Sequence, residues 1–359
     1  MADDSNSPIR AARPTIEIEG QRDATLTSAL LTLLVVESAD GLYRCEATFG
    51  NWGGAQGPGF QHFDRSKLEF GKRFVVKLGD AGSLFDGRVS AITAAFPEGG
   101  PAQVGVCAED RLQDLRMTRR TRSFDQVSVG DVVRRIANDH GLQPQVDLSG
   151  ETYKLLAQVN QSDLAFVRDL ARREDAQVWV EGSNLKAAQR ARRNGATVEL
   201  GWGGQLREFQ ASADLAHQRT KLVAAGWNAG DKEAAKHEAT EAAIQAELNG
   251  GASGAQTLQS AFGERADTLA HALPTTGAEA RVLAEASFRY LARRFVVGRG
   301  VAETKPDLRV GAKVKLKSVG PLFEGEYTVT DVRHRFDARA GLRTEFLCDR
   351  PSIGQGGAG

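Results

Sequence analysis

The stretch "GPLFEGEYTVTDV", Gly320 to Val332, has an echo earlier in the chain: "GSLFDGRVSAI", Gly82 to Ile92, opens on the same Gly-x-Leu-Phe-acid-Gly, 238 positions upstream. The correspondence widens on either side. "LEFGKRFVVKL" before the first copy matches "LRVGAKVKLKS" before the second, with Leu68 and Gly71 answering Leu308 and Gly311 at a spacing of 240. Downstream, "VCAEDR" and "FLCDR" set Cys107 against Cys348. Each copy reads as glycine, basic strand, tight turn, Leu-Phe-acid-Gly, strand, hairpin, strand, then acid and Arg. A spacing near 240 is far too long for a solenoid unit and points to a duplicated domain with other sequence between the copies. Gly82, Leu84, Phe85 and Gly87 in the first copy, and Gly320, Leu322, Phe323 and Gly325 in the second, are the residues that define the repeat.

The rest of the chain fits a mainly β protein with an α/β insertion. "LYRCEATFG" (Leu42–Gly50) alternates Tyr43, Cys45, Ala47 and Phe49 with polar neighbours, the period-2 pattern of a half-buried strand, after an Asp40-Gly41 turn. Short strands with glycine-rich turns predict a small barrel in each copy. The middle changes character. "SVGDVVRRIANDHG" carries Ser128 as N-cap with Asp131 three residues on, and ends at Gly141; "SDLAFVRDLARRE" is a second helix capped by Ser162. The expected layout is an N-terminal tail over 1–13, a first barrel over 14–118, an α/β domain over 119–188, a second barrel over 189–351 and a C-terminal tail over 352–359. The second barrel is expected to carry helices near 231–248 and 277–294, the latter with Val282, Ala286 and Tyr290 along its apolar face, and a flexible "NGGASGAQ" between them.

Composition narrows the function. There are 46 basic and 46 acidic residues, so a nucleic-acid binder driven by a basic face is not expected. Three cysteines without close spacing suggest neither a zinc site nor a disulfide framework, and fit a reducing compartment. "MADDSNSPIR" lacks the basic start of a secretion signal, and the apolar run "ALLTLLVV" is too short to cross a bilayer. The six histidines lack metal-ligand spacing, and neither HExxH nor GxSxG occurs. "NWGGAQGPGF" (Asn51–Phe60) is glycine-rich but has no Lys-Ser/Thr of a phosphate loop. No catalytic, cofactor or metal residue is therefore assigned. That segment is expected instead to be a mobile loop on which Trp52, Phe60 and Phe63 dock against a neighbouring subunit or ring. The arginine runs "RMTRRTR" and "RARRN" are expected on solvated faces, at subunit contacts or along a channel.

The C-terminal run Val310–Phe346 resembles the end of the hub portion of the phage late control protein D family, which includes the hub domains of VgrG-type and contractile injection system proteins. "YKLLAQVNQSDLAFVRDLARRE" looks like that family's strand-then-helix signature. "VAAGWNAGDKEA" is similar to its Gly-Trp-Asp-Pro-like segment, with Asn228 in place of the Asp and no Pro. The resemblance spans about Thr15 to Pro351. It implies two tube-protein-like β-barrels in a non-enzymatic baseplate hub, a homotrimer whose six barrels form a pseudo-sixfold ring. Such a ring would join a hexameric inner tube to a trimeric spike of OB-fold and β-helix type, alongside other baseplate proteins and a tape measure. Because the sequence stops at "PSIGQGGAG", the spike is expected to be a separate chain, or to lie beyond a boundary at which the chain was cut. Assembly would take place in the bacterial cytoplasm, into a phage tail or injection particle, with no nucleic-acid specificity and no membrane insertion. The alternative is a cell-wall-binding or peptidoglycan-hydrolysing module carried by such a particle. Ser128–Leu142 faintly resembles the first half of a LysM module, whose second half is missing.

Overall fold

The computed structural model describes residues 13–53, 57–79, 82–148 and 150–354; most of the two expected tails lies outside them. The first part of the chain is all strand apart from two helical turns: β1 (Thr15–Ile18), β2 (Leu30–Ser38), β3 (Arg44–Gly50), β4 (Arg73–Lys77), β5 (Ser83–Ala95) and β6 (Gln103–Glu109). Tyr43, Cys45, Ala47 and Phe49 do point inward, into a core shared with Ile16, Leu33, Val35, Phe74, Val76, Leu84, Phe85 and Val104. Burying each such side chain stabilises the fold by about 1.5–3 kcal/mol.

The insertion follows as β7 (Arg119–Ser128), α1 (Val129–Asp139), β8 (Gln143–Asp147), β9 (Thr152–Ser162), α2 (Asp163–Arg173), β10 (Ala176–Glu181) and β11 (Asn184–Gln189). Both caps read from the sequence form: Ser128 and Asp131 make a reciprocal capping box, and the Ser162 hydroxyl accepts from the Ala165 amide at 3.2 Å. β7 pairs with β9, and β11 pairs antiparallel with β10 and parallel with β8. Val132, Val133, Ile136, Leu164, Val167 and Leu170 meet in one core, which also takes in Leu112 and Leu115 from the short helix Leu112–Arg116.

The remainder contains β12 (Thr197–Gly201), β13 (Leu206–Ala213), β14 (Lys221–Asn228), β15 (Glu233–Ala239), α3 (Gly254–Phe262), α4 (Gly277–Arg293), β16 (Val296–Glu303), β17 (Lys313–Lys317), β18 (Gly325–Asp337) and β19 (Gly341–Arg350). Three sequence expectations fail here. The helix expected near 231–248 is the strand β15 followed by two short 3-10 turns, because Ala235 and Ala239 alternate inward and the whole segment pairs with β14 after a turn held by Asn228. Pairing and burial override the helical propensity of Ala, Glu and Lys. "NGGASGAQ" is not simply a linker, since Ser253 and Gln256 form a capping box that starts α3. α4 forms as expected, but Tyr290 faces solvent; Ala280, Ala284, Phe288 and Ala292 pack against Leu222, Ala224 and Ala239. The three alanines let α4 lie close on β14 and β15.

The two all-strand parts have the same wiring. In the first, the hydrogen-bonded order is β4-β5-β6-β3-β2; in the second it is β17-β18-β19-β16-β13. Their registers also coincide. Arg73↔Arg88 and Arg88↔Glu109 recur as Lys313↔Thr328 and Thr328↔Asp349, each strand advanced by 240. The bulge between Val89 and Ala91 recurs between Val329 and Asp331, and the one between Leu30 and Thr32 recurs between Leu206 and Glu208. Gly71 and Gly311, with φ of 79° and 87°, donate to the carbonyls of Val89 and Val329 at 2.8 and 2.9 Å.

That register corrects the motif that exposed the similarity. At a spacing of 240, Gly87 corresponds to Tyr327 and Phe85 to Gly325, so the two Gly-x-Leu-Phe-acid-Gly runs are out of step by two residues. Leu84 and Phe85 are buried within β5, whereas Leu322 is exposed and Phe323 half-buried in the turn before β18. The cause is the turn: β4 and β5 pair as far as Lys77↔Ser83 through a bulge, while the β17–β18 ladder stops at Leu316↔Gly325. By the same register Cys348 corresponds to Ala108, and Cys107 to Leu347.

The two parts are joined in one sheet. β18 pairs antiparallel with β2 from Asp331↔Ser38 to Asp337↔Thr32, making a seam between residues some 300 positions apart. Val332, His334 and Phe336 are buried along it, opposite Glu37, Val35 and Leu33.

Candidate docking surface

Asn51 organises the glycine-rich loop. Its side chain is buried, and its Oδ1 accepts from the amides of Gln61 and His62 at 2.9 and 2.7 Å. Its own amide donates to the Ala102 carbonyl at 2.8 Å, tying the loop to the end of the β5–β6 hairpin. Trp52 and Phe60 then face each other across a two-residue bridge, with Gly53 donating to the carbonyl of Gly59. Only Gly54 to Gln56 of this loop fall outside the described residues. The described arms of the loop are held from beneath by these bonds.

The aromatic rings form a cluster with a member that sequence reading did not include. Trp52 and Phe60 are edge-to-face with centroids 5.3 Å apart, Phe60 lies 5.0 Å from Phe63, and Phe96 joins them at 6.2 Å from Phe60 and 6.1 Å from Phe63. Phe63 packs against the first core. Trp52, Phe60 and Phe96 stay 53%, 54% and 67% exposed. Three half-exposed aromatics present roughly 300 Å² of apolar surface, the size of a functional patch on an ordinary monomer. Phe96 follows the last residue of β5, and the signal that could have found it is the uncharged run "VSAITAAF" ending in an aromatic.

Several arginines of the two runs reach buried or half-buried acids. Arg122 reaches Asp139 at 2.7 Å and Asp163 at 2.8 Å, Arg116 reaches Glu109, and Arg190 bonds the buried Asp349. Arg193 donates to the Tyr43 hydroxyl at 2.7 Å and stacks over Trp179 at 4.2 Å, where it borders a cavity of about 360 Å³ between the first part, the insertion and the second part. Arg309, which lines the same cavity, pairs with the buried Glu37. Arg119 and Arg192 of the two runs stay exposed, while Arg116, Arg122, Arg190, Arg193 and Arg309 bind the chain to itself.

The titratable groups in the interior are set by burial. His334 is driven down to about 3 by burial and then by the Arg309 charge, so it is neutral at every physiological pH, and its Nδ1 shares a 2.8 Å hydrogen bond with Thr344. Burial also lowers His62 and pushes the Cys45 and Cys348 thiols well up, which leaves them poor nucleophiles. Among the described residues, no group of three or more His, Cys, Asp or Glu is placed to hold a metal, and no helix is long and apolar enough to cross a membrane.

A family model described as the Alg8 N-terminal domain matches residues 28–338. Among solved structures, the 43 kDa tail protein of prophage MuSo2 from Shewanella oneidensis superposes with a TM-score of 0.71 at 11% identity, covering 94% of this chain and 98% of that one. The tail protein from Neisseria meningitidis MC58 gives 0.66 at 10% identity, covering 95% and 97%. The E. coli c3393 protein, a type VI secretion component described as structurally similar to bacteriophage T4 tail proteins gp27 and gp5, gives 0.59 at 12% identity, covering 96% and 79%. At these identities the likeness is one of fold. No curated protein matches the chain by sequence.

Proposed function

Because this chain belongs to the Alg8 N-terminal domain family and has the fold of phage tail and type VI secretion proteins, we propose that it is a baseplate hub. In this reading it is a structural subunit, not an enzyme, and works as a homotrimer between a hexameric inner tube and a trimeric spike. Its modules would be a tube-like unit over 14–118, an inserted α/β domain over 119–188 and a second tube-like unit over 189–351, the two units having arisen by duplication. Other baseplate proteins and a tape measure would contact it, and the particle would assemble in the bacterial cytoplasm.

One observation carries the proposal: a single chain holds two five-stranded units with the same order, registers and bulges. Three such chains around an axis supply six near-equivalent units with only threefold true symmetry, so one face can meet sixfold partners and the other threefold ones. No observation favours a wall-degrading module.

Trp52, Phe60 and Phe63, now with Phe96, would dock on the neighbouring subunit or ring. Replacing Trp52 and Phe60 with Ala removes roughly 200 Å² of apolar contact, about 5 kcal/mol before the costs of association. Co-assembly with tube and spike proteins, followed by sedimentation, should weaken at least about thirtyfold, the effect of a loss of about 2 kcal/mol. The free chain's unfolding transition should not move. Unchanged co-assembly would reject the docking role. If mass measurements on the assembled chain gave any stoichiometry other than three, the hub itself would be rejected.

A further inference from the structure

The seam inside the chain has an unfilled counterpart at its two ends. β18 is flanked by β19 on one side and by β2 on the other from Asp331 to Asp337. At a spacing of 240, the matching part of the first unit is Ala91–Pro97, whose side away from β6 has no strand partner among the described residues. β2 corresponds to β13 at a spacing of 176, since Leu30 and Thr32 flank the same bulge as Leu206 and Glu208. β13 in turn pairs with β16 and is otherwise the free end of the sheet. Each end therefore lacks what the other resembles.

We infer that a second copy of this chain fills both vacancies, with β5 of one copy pairing antiparallel to β13 of the next in the register of the internal seam. Transferring Val332↔Glu37, His334↔Val35 and Phe336↔Leu33 gives Ile92 opposite Ala213, Ala94 opposite Ala211 and Phe96 opposite Phe209 of the next copy. Arg333↔Val36 and Arg335↔Leu34 transfer to Thr93 opposite Ser212 and Ala95 opposite Gln210.

Three observations support the second copy as occupant. The register was fixed by ladders elsewhere in the fold, yet it sets apolar side chains against apolar ones on the core face and small or polar ones together on the other face. A slip of one residue would destroy that match. The run from Val89 to Phe96 contains no charged residue and Pro follows only at its end, although solvent-facing edge strands are normally guarded by charge. Finally, Thr93, Ala94, Ala95 and Phe96 are exposed here, while Val332, His334 and Phe336 are buried by the internal seam. The contact is head-to-tail, so its repetition closes a ring or runs on as a filament. It also sets the aromatic cluster, through Phe96, against the neighbour's Phe209. This inference rests on the ring-forming reading above and specifies its interface.

The test is a cross-link in the full chain. Directly opposed antiparallel residues have Cα atoms about 4.5–5.5 Å apart, within disulfide reach. With Cys107→Ser removing the one cysteine that is not fully buried, Thr93→Cys with Ser212→Cys should oxidise to covalent species of two and three chains. Thr93→Cys with Glu208→Cys, about 13 Å out of register, should do so at least tenfold more slowly. Far-UV circular dichroism checks that both variants fold. Oligomers that persist by light scattering while both variants cross-link at the same low rate overturn this seam and leave the hub reading standing. A chain that remains single at its highest soluble concentration, alone and with tube and spike proteins, overturns both.

Discussion

Arg293 should be the most costly single side chain to remove. It is 2% exposed, and it donates through Nε and Nη2 to Glu247 at 2.8 and 2.7 Å and through Nη1 and Nη2 to Asp175, the second bond at 2.7 Å. It thereby clamps α4 to the loop between α2 and β10. Arg293→Met keeps most of the volume but leaves two carboxylates facing each other with the buried Asp349 near by. Asp175 then has only the Arg289 guanidinium, 4.0 Å away. Breaking a buried pair from one side costs about 3–5 kcal/mol. The Glu247 side chain is 23% exposed and gains some water, so about 3 kcal/mol is expected, a fall of roughly 1 M in the urea midpoint. Burial pushes the Glu247 carboxyl up, but the hydrogen bonds and charge of Arg293 outweigh it and hold the group below its usual range. A carboxyl lowered in the folded state adds stability above its unfolded pKa, near 4.5, and that stability disappears as the pH falls through the folded value. The deficit of the variant should therefore shrink in acid. Adding Asp175→Asn and Glu247→Gln should restore most of the loss at pH 7. A midpoint within about 0.2 M of the parent at pH 7, or a gap that widens in acid, would refute the clamp.

Two further predictions concern the interior. Glu174 caps α2 with its Oε1 buried against Gly150 and without a hydrogen-bond partner among the described residues; burial, and then the Glu151 charge, push it up to about 7. A carboxyl raised in the folded state favours folding most below its ordinary pKa, so stability should fall as the pH rises from about 4.5 to 7, by on the order of 3 kcal/mol at 1.36 kcal/mol per unit. Glu174→Gln should flatten that slope and unfold at higher urea than the parent at pH 8, and parallel profiles would count against it. At Gly300 an added Cβ would lie 2.4 Å from the Phe346 ring. Gly300→Ala should therefore destabilise by about 1–3 kcal/mol in thermal or urea unfolding, and a neutral result would show that Phe346 has room to move.

The parts of the fold legible in the sequence were those specified locally. The alternation at Tyr43 to Phe49 and the caps at Ser128 and Ser162 are short-range patterns, and each formed as written. β15 was misread because the helical preference of its Ala, Glu and Lys residues is local, whereas its pairing with β14 and its burial under α4 are not. α3 hid behind glycines and serine that serve as its cap. The β2–β18 seam joins residues too distant for any pattern to report. At the surface patch, Trp52, Phe60 and Phe63 were visible as aromatics among glycines. Phe96 was not, because only the tie between Asn51 and Ala102 brings its strand end beside them. The arginine runs read as surface because charge normally stays in water, and Arg119 and Arg192 are exposed, but Glu109, Asp163 and Asp349, the partners of Arg116, Arg122 and Arg190, are buried.

The two-residue offset between the hexapeptides and the ladders bears on how such a chain tolerates insertion and deletion. Side chains along a strand return to the same face every second residue, so lengthening the Ser318–Glu324 approach by two would leave Tyr327 and Val329 pointing into their core while sliding only their partners. A one-residue change taken up by the β18 ladder, and not by the turn, would turn them outward and bring Glu326 and Thr328 in. Homologous chains should accordingly absorb odd changes within the turn, and chimeras that exchange the two halves should keep the spacing of 240 across it.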